Sequence, residues 1–267
     1  VASRKADAKA RGKLHGVGIS SSVDPSAGPS PETAELRFDP GGNATILAGS
    51  TAGGQSHETI YKQIVSDRLG MEAESLRVIE GDTRALSWGT GTGGARTATI
   101  AGTAIYKAVD KVIEKTTRIA AHLLESAAED IEFKDGKFTV AGTDREVSFS
   151  EVAQTAFSPG KLPPDIEIGL YETATWSPDE ANVPNACHIC EIEIDPDTGV
   201  TEITRYTAIH DVGVELNPLL VDGQVHGGIA QGVGQALCED VIYDPDSGQV
   251  LSGSFLDYCM PRADNFC

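Results

Sequence analysis

A glycine-rich run between residues 89 and 105 constrains the fold of this chain more than any other feature. Five of its residues are glycine, most of the others are small alanines and threonines, and Arg96 is its single long charged side chain. Such a run cannot pack a core of its own. Because glycine lacks a Cβ and permits positive φ, several backbone N–H groups can turn toward one point. The run therefore predicts a concave backbone surface that accepts an anion.

A helix is predicted directly after this loop, from Gly102 to Ser126, because apolar residues recur there at intervals of three and four. Backbone donors and the macrodipole at a helix N-terminus both favour negative charge. Threonine hydroxyls and the Arg96 guanidinium add further donors. The alternative is a flexible surface loop, which is the usual setting of a stretch rich in glycine and threonine.

Length and composition indicate a globular protein. The 267 residues, 40% of them hydrophobic, suffice for one large or two ordinary domains. The net charge of −19 argues against a nucleic-acid or anionic-membrane surface as partner, since either would be repelled. No apolar run approaches the roughly 20 residues that span a bilayer, and the first residues contain no hydrophobic signal core. We therefore expect a cytoplasmic location without a membrane span.

Five cysteines, an odd number at low density, favour reduced thiols over a disulfide framework. Cys187 and Cys190 have CxxC spacing, but they begin the alternating sequence CHICEIEID, which predicts a strand. Residues three apart on a strand point to opposite faces, so a metal or redox site is disfavoured against ordinary half-buried cysteines.

Strand and helix patterns alternate along the chain. A hairpin is predicted around the DPGG turn at 39–42, followed by a helix with Ser56 as N-cap and Gly70 as its end, and by a strand at 75–81. A second hairpin is predicted over 131–140. These patterns predict an α+β fold of α/β lobes, in which mixed sheets are covered by helices.

A proline-rich stretch at 158–165 predicts a linker, because proline excludes a continuing helix or a central strand. The Glu-x-x-x-Asp-Pro pattern at Glu35 returns 156 positions later at Glu191, and another Asp-Pro turn follows Glu239. This repetition indicates two related lobes, which we expect at 1–160 and 161–267.

The predicted helix from Asp222 to Cys238 is interrupted in its interior by Gly227, Gly228, Gly232 and Gly234. Each costs roughly 0.5–1 kcal/mol relative to alanine inside a helix. This cost indicates that another group approaches the helix backbone closely. The pattern does not decide whether that group is another helix or a ligand.

Five segments together resemble the molybdenum-cofactor-binding large subunit of the xanthine dehydrogenase, aldehyde oxidase and aerobic carbon monoxide dehydrogenase family. They occur in family order over nearly the whole chain: GGQSHET at 53–59, VIEGDT at 78–83, GTGTGGARTAT at 89–99, DVGVELNP at 211–218 and DGQVHGGIAQGVGQAL at 222–237. In having an arginine, the glycine loop is similar to that of the bacterial carbon-monoxide-dehydrogenase-like members. The animal enzymes have a Pro-Thr-Ala-Ala-Ser run at this place.

The resemblance implies a molybdopterin dinucleotide, of the cytosine type, in a cleft between two α/β lobes. It assigns cofactor binding to residues of two kinds, glutamine amides and the glycine loop: Gln55, Gln224, Gln231, Gly93, Gly94, Ala95, Arg96 and Thr97. A glutamine amide donates and accepts at once without adding charge, which suits a pterin edge. Ser56 departs from the family's usual glycine after Gln55.

Asp82, Asp211 and Asn217 lie in the same family motifs. We expect these three side chains to brace turns rather than to touch the cofactor.

The implied activity is molybdenum-dependent oxidation of a small substrate with water as the oxygen source. Electrons would leave through iron–sulfur and FAD groups on partner subunits or domains, in a homo- or hetero-oligomer. In the family a catalytic glutamate follows the DYxxP stretch, here 257–261, so we expect it beyond Cys267 and no catalytic residue or metal ligand within the chain. We therefore expect part of a larger subunit that is inactive alone.

Two alternatives remain. One is a non-catalytic scaffold or interaction domain derived from the same fold, which the retained glutamines and glycine loop disfavour. The other is a P-loop nucleotide enzyme, which is disfavoured because no Gly-Lys-Ser/Thr follows the glycine loop.

Overall fold

The computed structural model describes residues 1–26 and 30–266, within which the chain forms five α-helices and ten strands. The helices are Ala2–Ala10 (α1), His57–Leu69 (α2), Thr97–Leu123 (α3), Phe149–Thr155 (α4) and Pro218–Leu237 (α5). The strands are Leu14–Val23 (β1), Glu32–Phe38 (β2), Ala44–Ala48 (β3), Leu76–Glu80 (β4), Ile131–Lys134 (β5), Lys137–Val140 (β6), Glu146–Ser148 (β7), Tyr171–Trp176 (β8), Asn185–Ile194 (β9) and Thr201–Asp211 (β10). No helix in the described ranges is both long enough and apolar enough to cross a bilayer.

The chain divides into two compact units. Pro25–Asn182 forms one, here called the central unit, and Val1–Asp24 with Val183–Cys267 forms the other, the terminal unit. The expected lobes at 1–160 and 161–267 do not coincide with these units and stay a prediction. The proline-rich stretch at 158–165 lies inside the central unit and is not its boundary. The units are set by pairing between strands far apart in sequence, β1 with β9 and β2 with β8.

The central unit is built on a four-stranded mixed sheet in the order β4-β3-β2-β8. β2 is antiparallel to both β3 and β8, whereas β3 and β4 are parallel and are joined through α2. This sheet contains the predicted hairpin and the predicted strand after α2. Together with its helices it confirms the expected α+β class.

The long helix α3 packs along β2 and β8 and against α2. Ile100, Ile105 and Val112 are almost fully buried on this face, and each stabilises the fold by roughly 1.5–3 kcal/mol. The prediction that the helix begins at Gly102 was wrong, because α3 begins at Thr97. Gly102 instead lies inside α3 where α2 approaches, since an added Cβ there would lie 3.4 Å from Ile64 Cδ1.

A second, three-stranded antiparallel sheet in the central unit has the order β5-β6-β7. Its first two strands confirm the hairpin predicted over 131–140. Phe138 lies on β6 and is fully buried, and its ring stacks on that of Phe149 at the start of α4. This small sheet is therefore held to the unit by an aromatic cluster.

The terminal unit is organised by a three-stranded antiparallel sheet with β9 in the middle of β1 and β10. The predicted strand through Cys187 and Cys190 is confirmed as part of β9. α1 is tied to this strand by two-pronged ion pairs, Arg4 with Glu191 and Arg11 with Glu193.

In each of the repeated Asp-Pro turns the aspartate side chain accepts two nearby backbone amides. Asp39 Oδ1 accepts the backbone N–H groups of residues 41 and 43, at 2.8 and 3.1 Å. Asp195 and Asp244 accept in the same way from amides two and three residues further on. The first two turns join β2 to β3 and β9 to β10, and the third lies between Tyr243 and Val250, which form an isolated bridge. Aspartate suits these turns because its side chain can accept backbone amides a few residues further on.

Candidate functional site

The residues predicted to hold the cofactor in the central unit follow two parallel strands. Ala48 at the end of β3 pairs with Glu80 at the end of β4, so both strands end at the same side of the sheet. Residues 49–56 lead from β3 into α2, and residues 81–96 lead from β4 into α3. β2 runs the opposite way and begins at this side with Glu32. This side, here called the carboxyl edge, is where open α/β sheets commonly bind ligands.

The Gln55 segment and the glycine loop are in direct contact at the carboxyl edge. The Thr51 amide donates to Thr92 Oγ1 at 2.9 Å. Thr97 Oγ1, in the first turn of α3, donates to the same oxygen at 3.2 Å. Two motifs separated in sequence are thus brought together by three threonines.

The glycine loop adopts the backbone conformation for which glycine is needed. Gly91 and Gly94 have φ of 88° and 59°, and Ala95 takes the left-handed conformation at φ 54°, which is uncommon for a residue with a Cβ. Residues 92–95 are exposed. An added Cβ at Gly91 or Gly93 would meet no heavy atom of the described residues within 4 Å, so among those residues this face of the loop is open.

The start of α3 carries no side-chain cap and no acidic residue in its first turn. The first amides of any helix lack intrahelical acceptors. Uncapped amides behind an open glycine loop fit an anionic group such as the phosphates of a dinucleotide. The donor set is therefore compatible with the cofactor that the sequence implied.

Gln55 is half-buried, and its Oε1 accepts the Gly53 amide at 2.5 Å. Within residues 1–26 and 30–266 its Nε2 makes no hydrogen bond to a protein acceptor, so the amide can still donate to a ligand.

Ser56 occupies the predicted N-cap position of α2, but its side chain makes no capping hydrogen bond. Its φ of 64° is left-handed, whereas a side-chain cap uses an extended backbone.

A buried carboxylate at the carboxyl edge was not predicted. Glu32 is 1% exposed, and its carboxylate accepts the amides of Thr90 and Gly91 at 3.2 Å. It also accepts Arg96 Nη1 at 3.2 Å. The first part of the glycine loop is thus wrapped around an anion that belongs to the protein itself.

Arg96 is buried, and its guanidinium faces the protein. Besides Glu32 it donates to the carbonyl oxygens of Ser30 and Pro31 at 2.8 Å and of Gly91 at 2.5 Å. Its charge is therefore balanced by Glu32, and direct contact of Arg96 with the cofactor is disfavoured. The assignment of Arg96 to cofactor binding, made from the sequence, stays a prediction.

A second buried polar network lies behind the Gln55 segment. Ser50 Oγ donates to Glu80 Oε1 at 2.5 Å and lies 2.7 Å from the Tyr61 hydroxyl, and His57 Nδ1 lies 2.9 Å from the same Glu80 oxygen. Burial raises the pKa of Tyr61 well above its ordinary value, and the neighbouring carboxylates of Glu80 and Glu32 raise it further. The network anchors the start of α2 against the end of β4.

Gln224 and Gln231 lie on α5 in the terminal unit. Both are exposed, and their spacing of seven residues, about two turns, places them on one side of the helix. The convergence of these glutamines with Gln55 and the glycine loop on one cleft stays a prediction.

The three residues expected to brace turns do so. Asp82 Oδ1 accepts the Arg84 amide at 2.9 Å, and Asp211 Oδ1 accepts the Gly213 amide at 3.2 Å. Asn217 Oδ1 accepts the Leu220 amide at 3.3 Å and caps α5. The Arg84 side chain, followed by its amide, lowers the pKa of Asp82.

The glycines of α5 have two different surroundings. An added Cβ at Gly227, Gly228 or Gly232 would meet nothing within 4 Å, whereas one at Gly234 would collide with the Glu239 carboxylate and the Pro261 ring. Among the α5 glycines, and with respect to the described part of the chain, only Gly234 shows the close approach to the helix backbone that the sequence indicated.

A cavity of about 440 Å³ in the terminal unit is lined by Gly228 and Gly232 of α5 and by side chains of β9 and β10. Its polar corner is His188, whose Nδ1 lies 2.9 Å from the Tyr206 hydroxyl and whose Nε2 lies 3.0 Å from His210 Nε2. Burial, and then the neighbouring His210, lower the pKa of His188. An imidazole whose pKa is lowered, as that of His188 is, suits this largely apolar wall.

Comparison with known proteins agrees with this geometry. The model of the molybdopterin cofactor-binding domain matches residues 1–266. The chain is 35% identical to the nicotine 6-hydroxylase large subunit of Paenarthrobacter nicotinovorans, over 98% of this chain and 34% of that protein. It is 34% identical to the carbon monoxide dehydrogenase large chain of Hydrogenophaga pseudoflava, over 87% of this chain and 29% of that protein.

Among solved structures, quinoline 2-oxidoreductase from Pseudomonas putida 86 matches with a TM-score of 0.88 and 36% identity, over 99% of this chain and 35% of that one. The chain thus spans about a third of the length of these relatives. The resemblance drawn from the five sequence segments is confirmed. Since a single family model covers all but the last residue, the chain belongs to the molybdopterin cofactor-binding domain family.

Proposed function

We propose that this chain holds the pterin cofactor in the large subunit of a molybdenum-dependent oxidoreductase. The observation that carries the proposal is the contact between the Gln55 segment and the glycine loop, through Thr51 and Thr92, at the carboxyl edge. Both segments present uncharged donors at one place. In a chain with a net charge of −19, a polyanionic ligand has to be held by such local groups and not by long-range attraction.

The residues divide the work according to their chemistry. The open part of the loop, Gly93 to Ala95, and the start of α3 at Thr97 donate N–H and O–H groups to phosphate oxygens. Gln55 Nε2 donates to the edge of the pterin, and Gln224 and Gln231 supply further amides. When bound, the molybdenum cofactor supplies the two-electron redox centre at which a substrate is oxidised.

The rest of the proposal concerns the whole protein. Relatives are named as large subunits or chains, and one as subunit gamma of the 6-hydroxypseudooxynicotine dehydrogenase complex, which supports partner subunits here. We propose that these partners carry iron–sulfur and FAD groups, that water is the oxygen source, and that the nucleotide is cytosine. We assign no catalytic residue to positions 1–267, and a cytoplasmic location stays a prediction from the sequence.

The decisive experiment is metal and nucleotide analysis of the native full-length protein. We expect nearly stoichiometric molybdenum and release of cytidine monophosphate when the purified cofactor is hydrolysed. Release of guanosine monophosphate would contradict the cytosine assignment alone. A folded native protein without molybdenum and pterin would contradict the proposal and favour the scaffold alternative.

A pair of glutamine variants tests the binding role of α5. Gln231→Ala should weaken cofactor binding about two- to tenfold, since a hydrogen bond contributes roughly 0.5–1.5 kcal/mol net. Gln235→Ala is the matched control, because Gln235 is also exposed and lies one turn further along the same helix. Molybdenum content after extended dialysis measures both. Retention by Gln231→Ala equal to that of the wild-type protein would show that Gln231 does not contact the cofactor.

A further inference from the structure

We propose that Glu32 is a positioning residue for the cofactor loop. Its carboxylate is a permanent internal anion that fixes the first half of the glycine loop and leaves the second half to bind the ligand. The part of this inference that concerns the ligand rests on the proposed function.

The contacts of Glu32 come from both sides of the loop. Oε1 accepts the Thr33 amide at 3.0 Å, which aligns the carboxylate with the start of β2. Oε2 accepts the Gly91 amide and Arg96 Nη1, each at 3.2 Å, and the Thr90 amide lies 3.2 Å from both oxygens. One side chain therefore holds the loop at Thr90 and Gly91 and again at Arg96, where the loop enters α3.

The backbone around Glu32 is shaped for this carboxylate. An added Cβ at Gly89 would lie 3.0 Å from Glu32 Oε1 and would collide with the Cα of Gly49. An added Cβ at Gly49 would collide with the same carboxylate oxygen and with Gly89. Two glycines from different loops therefore make room for one buried side chain.

Charge explains the pairing with Arg96. A buried carboxylate without a counter-ion is strongly unfavourable, and Arg96 is 6% exposed beside it. The pair is neutral as a whole, so it repels an incoming phosphate less than a lone glutamate would. Arg96 thus acts as the counter-ion of Glu32, and the phosphates are left to uncharged donors.

The loop is consequently divided in two. The amides of Thr90 and Gly91 are used within the protein, whereas residues 92–95 are exposed and an added Cβ at Gly93 would meet no atom of residues 1–26 and 30–266 within 4 Å. The contacts of Thr90 and Gly91 with Glu32 therefore fix the conformation of residues 92–95, which face the ligand.

Hydrogen exchange measured by mass spectrometry on the full-length protein, stripped of cofactor, tests the positioning role. Glu32→Gln keeps the shape of the side chain and removes its charge. We expect the Thr90 and Gly91 amides to exchange about tenfold faster or more, because hydrogen bonds to charged groups are the stronger class. Glu35→Gln is the control, since Glu35 lies on the same strand and pairs with Arg37 instead. Unchanged exchange in Glu32→Gln would overturn the proposal.

The double variant Glu32→Gln/Arg96→Gln separates positioning from charge balance. It removes the unpaired buried cation, so we expect a higher Tm than for Glu32→Gln alone. Because the carboxylate is still missing, fast exchange at Thr90 and Gly91 should persist. Recovery of protection in the double variant would show that Glu32 acts only through charge balance and would overturn the proposal.

Molybdenum content links the loop to the cofactor. Holoprotein carrying Glu32→Gln should retain less molybdenum than the Glu35→Gln control. Equal retention together with fast exchange would refute the link between loop order and cofactor. Absence of molybdenum from the wild-type protein would refute the proposed function, and the exchange result would still decide the positioning role.

Discussion

Single glycines at the carboxyl edge serve two separate purposes. Gly89 is required by packing, because an added Cβ would collide with the Gly49 backbone and crowd Glu32. Gly93 has open space where its Cβ would stand, so nothing in the described protein requires glycine there. Packing explains the first glycine, and close approach of a ligand explains the second under the proposed function.

This difference predicts opposite outcomes for two alanine variants. Gly89→Ala should destabilise the central unit by roughly 1–3 kcal/mol, the usual cost of overpacking. Gly93→Ala should change the unfolding free energy by no more than about 0.5 kcal/mol but reduce molybdenum content. Urea unfolding and metal analysis measure the two effects. A strongly destabilised Gly93→Ala variant would contradict the open surroundings of this position.

At the scale of elements, ion pairs join the α1 region to β9. The Arg4 guanidinium, followed by further contacts that include His15, lowers the pKa of Glu191 to about 2 from an ordinary value of 4.5. Arg11 lowers the pKa of Glu193 in the same way. A carboxylate whose pKa is depressed in the folded state stabilises the fold above its unfolded pKa, and this contribution is lost as pH falls toward the folded value.

The stability contributed by Glu191 should therefore be complete above about pH 4.5 and lost between there and about pH 2. We expect Glu191→Gln to lower the Tm at pH 7 and to flatten the acid slope of Tm against pH. Glu202→Gln is the control, because Glu202 is more exposed and its nearest cation, Lys13 Nζ, is 3.8 Å away. Identical acid slopes for the wild type and Glu191→Gln would disprove the role of this ion pair.

For the whole molecule, the net charge of −19 is the dominant electrostatic property. Like charges spread over a folded chain repel each other and destabilise the compact state. Salt screens this repulsion, whereas buried pairs such as Glu32 with Arg96 are screened much less.

We expect the Tm to rise as NaCl increases from about 0.02 M to about 0.2 M, where the Debye length falls below roughly 10 Å. Glu132→Lys, at an exposed position of β5, should reduce this increase because it lowers the net negative charge. Scanning calorimetry measures both. A Tm that falls with salt would mean that surface ion pairs outweigh the overall repulsion.

The sequence by itself determined most elements, the family and the turns, because these depend on local patterns. The alternation on both sides of the Asp39 turn gave the β2–β3 hairpin, and the five motifs gave the cofactor class. The alternation of β2 also places Glu32 on the same face as the buried Ala34, Leu36 and Phe38, so its burial was detectable.

Only the tertiary structure shows which anion the first amides of the glycine loop bind, namely the Glu32 carboxylate. Nothing near Arg96 in sequence shows that its partner lies 64 residues earlier, at the start of β2. The pairing of β1 with β9 and the position of Gly102 against Ile64 likewise bring together residues far apart in the chain. Local patterns specify which groups can bind an anion, but burial and long-range pairing decide whether the protein or a ligand supplies it.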